Sequence, residues 1–206
     1  MGSESNIVAE GIRLHHAGDL RAARRCYEQA NKMDPFDFDS IHMIGVLALQ
    51  EGRVDNAIRL IQVALRMKPT VAKAWMNLSN AYEQKNEMNA SLTALSKAID
   101  LKPDFFNARQ KRAQMLMAAK RTSEALEDYR YIANASEYAI PQNVRVAAHF
   151  RMVECMAALS LRDEALNALD TIDTSYPSLH EQVESWLRLS EQFPAKDKWC
   201  SAEFHL

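Results

Sequence analysis

Six histidines, three cysteines and 27 acidic residues are the side chains of this 206-residue chain that could ligate a metal or move a proton. Their spacing decides what chemistry they can share. His15 and His16 are adjacent, so on a helix their side chains point about 100° apart and cannot simply share a ligand. Cys26, Cys155 and Cys200 are scattered, whereas a zinc site needs paired ligands at short spacing. Reduced thiols are expected, and with them a reducing, cytoplasmic compartment. Neither HExxH nor an EF-hand loop occurs. No serine sits in a glycine-flanked elbow, and no cysteine has a histidine partner that spacing can argue for. Acidic residues are spread singly over helical stretches, and Glu124, Glu127 and Asp128 read as a solvated face. No metal, cofactor or catalytic residue is expected, and the chain reads as non-enzymatic.

The bulk numbers point the same way. Five glycines compare with a typical content of ~7%, and no two are placed to build a phosphate-cradling loop. Twenty-five basic against 27 acidic residues give a net charge of −2, without the basic stripe that nucleic-acid binding requires. The longest apolar window, 41–49, includes His42 and ends at Gln50-Glu51, far short of the ~20 residues of a membrane span. The first residues, Met1-Gly2-Ser3-Glu4-Ser5, have no basic region and no apolar core, so they are not read as a secretory signal.

An internal period organises the chain. Pro35, Pro69 and Pro103 stand 34 residues apart (69 − 35 and 103 − 69), a spacing that calls for a repeat test. With repeats starting near 4, 38, 72 and 106, and near 146 after a six-residue insertion at 140–145, the twentieth position reads Ala23, Ala57, Ser91, Ala125 and Ala165. The twenty-fourth reads Tyr27, Ile61, Leu95, Tyr129 and Leu169, and the twenty-seventh Ala30, Ala64, Ala98, Ile132 and Ile172. Small residues recur where large ones would collide, and large apolar ones where a gap needs filling. Ala57, Leu60, Ile61, Ala64 and Leu65 follow helical spacing. The fifteenth position holds Gly18, Gly52, Asn86, Lys120 and Ser160, where a first helix must end in a left-handed cap. Gly11 and Gly45 share another position, where helices must pack closely. The proline then stops each second helix.

These positions resemble the tetratricopeptide repeat, a pair of antiparallel helices per 34 residues. Trp75, Leu78, Tyr82, Ser91, Leu95, Ala98 and Pro103 carry its fullest signature. The fourth repeat departs most, with Arg109 and Arg112 at expected apolar positions and Glu137 in place of proline. The resemblance implies an all-α fold: a right-handed superhelical solenoid of about five helix pairs over residues 4–179. Ser178 and Glu181 match a capping box for a C-terminal capping helix over 178–194 carrying Val183, Trp186, Leu187 and Leu189. Residues 195–206, with Trp199 and Phe204, form a tail read as either disordered or docked back on the array.

In arrays of this family the first helix of each pair lines a concave groove that takes a peptide. Carried over position by position, the resemblance offers Lys73, Asn77, Asn80, Asn107, Lys111, Gln114 and Arg151 as a polar groove. Phe150 is carried to an inward position as well. Val8, Ile12, Met43 and Val46 form a more apolar stretch. The cations and amides suit an acidic side chain, a carboxylate or a peptide backbone. The two-carboxylate clamp of heat-shock cochaperones matches in part: Asn80 and Arg151 fit clamp-like positions, but Met76 stands for the expected Lys and Lys111 for the expected Asn.

The leading expectation is a non-enzymatic adaptor, scaffold or cochaperone-like module that binds a protein or peptide, acidic in character, with no nucleic acid, membrane span or cofactor involved. The stretch 41–53 is also similar to repeats that precede bacterial glycosyltransferase and sulfotransferase domains, so a second expectation is the substrate-recruiting arm of a larger enzyme. A third is a self-associating homo-oligomer through Ile7, Val8 and Ile12 of the first repeat.

Overall fold

The computed structural model describes residues 2–176, together with Glu181 and Ser185. The capping box at Ser178, the rest of the expected capping helix and the tail 195–206 lie outside the described residues. Ten α-helices and no strand are found among the described residues: α1 (Gly2–His16), α2 (Leu20–Met33), α3 (Phe38–Gln50), α4 (Val54–Met67), α5 (Ala72–Gln84), α6 (Met88–Leu101), α7 (Phe106–Ala118), α8 (Thr122–Ala133), α9 (Gln142–Ala158) and α10 (Arg162–Ser175). The chain divides into two compact bodies, Met1–Ala108 and Arg109–Leu206.

Every first helix ends in the same way. Gly18, Gly52, Asn86, Lys120 and Ser160 all adopt positive φ, from 58° at Lys120 to 83° at Gly18. Around each, two backbone bonds close the turn. In the first, Gly18 N donates to His15 O and Asp19 N to Leu14 O, both at 3.0 Å. The same pair recurs as Asn86 N to Glu83 O with Glu87 N to Tyr82 O, and as Ser160 N to Ala157 O with Leu161 N to Met156 O. This is the Schellman arrangement, which satisfies the last carbonyls of a helix with main-chain donors alone. The second helices start with less help: Asp19 caps α2 by accepting from Ala22 N at 2.9 Å, whereas α4, α6 and α8 have no side-chain cap.

In the N-terminal body α1 packs on α2, α3 on α4 and α5 on α6, and successive pairs meet through α2–α3 and α4–α5. The core follows the repeat positions: Ala57, Ile61, Ala64, Leu95 and Ala98 are all inaccessible. Gly45 lies where a Cβ would come within 2.9 Å of Ile61 Cγ1 and 3.3 Å of its backbone N, so α3 approaches α4 as only glycine allows. Ser91 takes a small-residue position with a polar side chain. Its hydroxyl donates to Ser79 O at 3.0 Å and lies 2.8 Å from Ser79 Oγ, which satisfies both buried groups.

The C-terminal body is built on α8–α9 and α9–α10 contacts around Tyr129, Ile132, Val153, Leu169 and Ile172. α9 has 17 residues, against 13 in α3, α5 and α7, so most of the six-residue surplus became helix. The acidic trio of α8 splits. Glu124 and Glu127 are exposed, but Asp128 is fully buried, which corrects its reading as part of a solvated face. Its carboxylate accepts from Arg112 Nε and Nη2, each at 2.7 Å, and from Arg109 Nη1 at 3.0 Å. Arg109 also lies over the Tyr131 ring at 3.7 Å. The two arginines that break the repeat pattern are thus the partners that allow a carboxylate to be buried.

Candidate peptide-binding surfaces

α5 places Lys73, Asn77 and Asn80 at spacings of four and three, on one helical face. Lys73 is exposed and has no ion-pair partner among the described residues, while the two asparagines are half-buried. Asn77 is held from below: its Nδ2 donates to Nε2 of His42 on α3 at 3.0 Å. The His42 ring is only 5% exposed and stacks on Phe38 with centroids 5.4 Å apart. Burial, with the Lys73 ammonium nearby, pushes the imidazole down to about 4. At neutral pH His42 is therefore neutral and an acceptor at Nε2, which fixes the way the Asn77 amide points. The repeat register carries His42 to an inward position of the more apolar stretch, 35 positions before Asn77, one repeat plus one; its part in orienting Asn77 comes from the contact between α3 and α5.

The apolar stretch is smaller than expected. Val8 is 6% exposed and belongs to the core with Ala23, Tyr27, Ala30 and Leu47, so it lines no groove. Ile7 and Met43 pack half-buried against that core. Val46 is half-buried, and Ile12, at 36% exposure, is the large apolar side chain left open. The face available for self-association through Ile7, Val8 and Ile12 shrinks accordingly.

On α7, Asn107, Lys111 and Gln114 follow one another at four and three positions; Asn107 and Gln114 are exposed and Lys111 is half-buried. Arg151 on α9 is exposed, but its Nη1 donates to both oxygens of Glu154, at 3.0 and 2.7 Å. That bond is the main reason its guanidinium is held above its usual range, and a ligand must compete with Glu154 for it. Phe150 is 2% exposed and is a core residue rather than a groove residue. Cys155 is buried and its thiol is pushed up to about 12 by burial. Among the described residues no group of His, Cys, Asp or Glu is placed to hold a metal, and no helix is long and apolar enough to cross a membrane.

Two tetratricopeptide-repeat family models match, over residues 8–72 and 48–119, together more than half of the chain. The chain belongs to the tetratricopeptide-repeat family. A chloroplastic tetratricopeptide repeat domain-containing protein, PYG7 of Arabidopsis thaliana, is 28% identical over 50% of this chain and 38% of its own length. The rat DnaJ homolog subfamily C member 3 is 25% identical over 63% of this chain and 25% of its own length. The chain thus spans well under half of these curated relatives. Among solved structures, MamA superposes with a TM-score of 0.66 at 22% identity, covering 88% of this chain and 96% of that one, a likeness of fold. The tetratricopeptide repeats make the chain a protein–protein interaction module.

Proposed function

We propose that the chain is a non-catalytic adaptor that takes a peptide or protein segment of acidic character on the first-helix face of its repeats. The observation that carries this is Lys73, an exposed ammonium without an ion-pair partner among the described residues, beside two half-buried amides, one of them oriented by His42. An ammonium and amide donors together suit a carboxylate, and a half-buried amide can bond a peptide backbone without reading its sequence. Asn107, Lys111 and Gln114 offer the same chemistry on α7, and Arg151 adds a guanidinium once Glu154 is displaced. The likeness to a DnaJ homolog supports a cochaperone-like role. Two free thiols, Cys26 and Cys155, support a reducing, cytoplasmic setting.

The test is fluorescence anisotropy against an array of extended acidic peptides, compared with peptides in which Asp and Glu become Asn and Gln. Lys73→Glu should weaken the acidic peptides by about tenfold or more, as should Lys111→Glu combined with Arg151→Glu. Helicity should stay intact, since Lys73 and Arg151 are exposed and Lys111 only half-buried. Equal affinity for both peptide sets, or no loss in either variant, would refute the reading.

A further inference from the structure

α5 has a second face. Lys73 and Trp75 are two residues apart, about 200° round the helix, and Trp75, Leu78 and Tyr82 form the floor of a cleft of about 690 Å³. Its walls come from Leu65 and Arg66 of α4 and from Ala90, Thr93 and Ala94 of α6. None of the first-helix groove residues lines it. The edges are held by two bonds: Trp75 Nε1 donates to Pro69 O at 2.7 Å, and Gln62 Nε2 donates to the Tyr82 hydroxyl at 2.8 Å. The Tyr82 hydroxyl, used there as acceptor, keeps its own proton to donate.

The opening is written in the sequence. One period before Ala90, Thr93 and Ala94 stand Asn56, Arg59 and Leu60; one period after stand Glu124, Glu127 and Asp128. Only α6, of these three helices, carries small side chains at all three places. One cation, Arg66, lines the cleft and a second, Lys97, stands a turn beyond its lining residues on α6. Both are exposed. Neither has an ion-pair partner among the described residues. An apolar trough between two 14-residue helices, each ~21 Å long, fits a helix of three to four turns.

We propose that this cleft is a second docking site, for an amphipathic helix of a partner protein. The partner's bulky apolar side chains lie on the half-buried rings of Trp75 and Tyr82, and its acidic side chains meet Arg66 and Lys97. Charge complementarity selects the acidic helix over a basic one. The site is independent of the first-helix groove, and the two can fail separately.

The probe is a fluorescein-labelled helical peptide as long as α4, with leucines at i, i+3, i+4 and i+7 and glutamates elsewhere, compared with its lysine counterpart. With the full chain, the glutamate peptide should bind and the lysine peptide should bind about tenfold more weakly or worse. Arg66→Glu should cost the glutamate peptide about tenfold, and so should Thr93→Arg, which fills the cleft with the residue type that α4 carries one period earlier. Thr93 is exposed, so this variant keeps its fold, and circular dichroism checks it. Arg25→Glu, the same charge change on an exposed residue of α2, should alter affinity by less than about twofold. No binding at about 1 mM, equal affinity for the two peptides, or full affinity in Thr93→Arg would overturn the proposal. A mass that rises with concentration in sedimentation and is lost in Thr93→Arg would assign the cleft to a second copy of the chain, and would overturn it as well.

Discussion

Replacing Asp128 tests the packing logic of the C-terminal body most directly. The carboxylate is fully buried and accepts three bonds of 2.7 to 3.0 Å from two guanidiniums. The Arg109 and Arg112 side chains are themselves only 14% and 22% exposed. Removing one member of a buried pair costs about 3–5 kcal/mol, because the remaining charge is left in low dielectric. Here the arginines retain some water and Arg109 rests on Tyr131, so Asp128→Ala should cost about 3 kcal/mol, at the lower end. Urea denaturation followed by circular dichroism reads this as a lower midpoint with an unchanged slope. Asp128→Leu combined with Arg109→Met and Arg112→Met should recover much of the loss, since an apolar triad of similar volume needs no pairing. Glu124→Ala, which removes the exposed pair with Arg121, should leave the midpoint where it was. A loss below about 1 kcal/mol for Asp128→Ala would show that the buried carboxylate is not held by the arginines, and the argument would fail.

Further outcomes follow from the caps, the close contact, the buried imidazole and the buried thiol. Lys120→Gly should stabilise the chain by up to about 1 kcal/mol, since glycine adopts positive φ without strain; a drop in the denaturation midpoint would contradict the cap. Gly45→Ala should cost about 1–3 kcal/mol, because its Cβ meets Ile61 at 2.9 Å in a packed core, as a thermal melt would register. The His42 imidazole, at about 4 when folded against about 6.5 when unfolded, binds fewer protons in the native state between those values. Its contribution is complete above pH 6.5 and is lost as pH falls towards 4, by about 2–3 kcal/mol; His42→Gln should flatten that part of the stability–pH curve. Cys155, with its thiol pushed up to about 12, should resist iodoacetamide in the native protein and react once denatured; mass mapping of the labelled peptide would reveal a contrary result.

The helix pairs were legible because a period repeats the same steric demand five times, so a single odd residue cannot hide it. Gly18 and Gly52 announced the left-handed cap, and the other three positions followed by register even though one is a lysine. The burial of Asp128 was legible only in part. Beside Glu124 and Glu127 it reads as one more surface acid, yet the register sets it where Ala94 and Leu60 stand one and two repeats earlier. Arg109, Arg112 and Asp128 are each anomalous alone, and only their contact turns the anomalies into a reason. Val8 and Phe150 show the complementary limit: a family position says which way a side chain faces on average, while local packing decides whether it is covered. The cleft beside Trp75 depends on three small residues at places where the neighbouring repeats carry larger ones, a signal that can be read only once the register is known.

The turn that ends each first helix uses no side-chain atom. Its two bonds run between main-chain groups, and glycine, asparagine, lysine and serine all occupy its left-handed residue. A joint made this way belongs to the backbone, so it survives when everything around it is rewritten. Blocks of 34 residues cut at equivalent points can be duplicated, deleted or exchanged with the same elbow formed at every junction. Lineages, or engineers, can then alter the binding faces of such a chain block by block without redesigning how it bends.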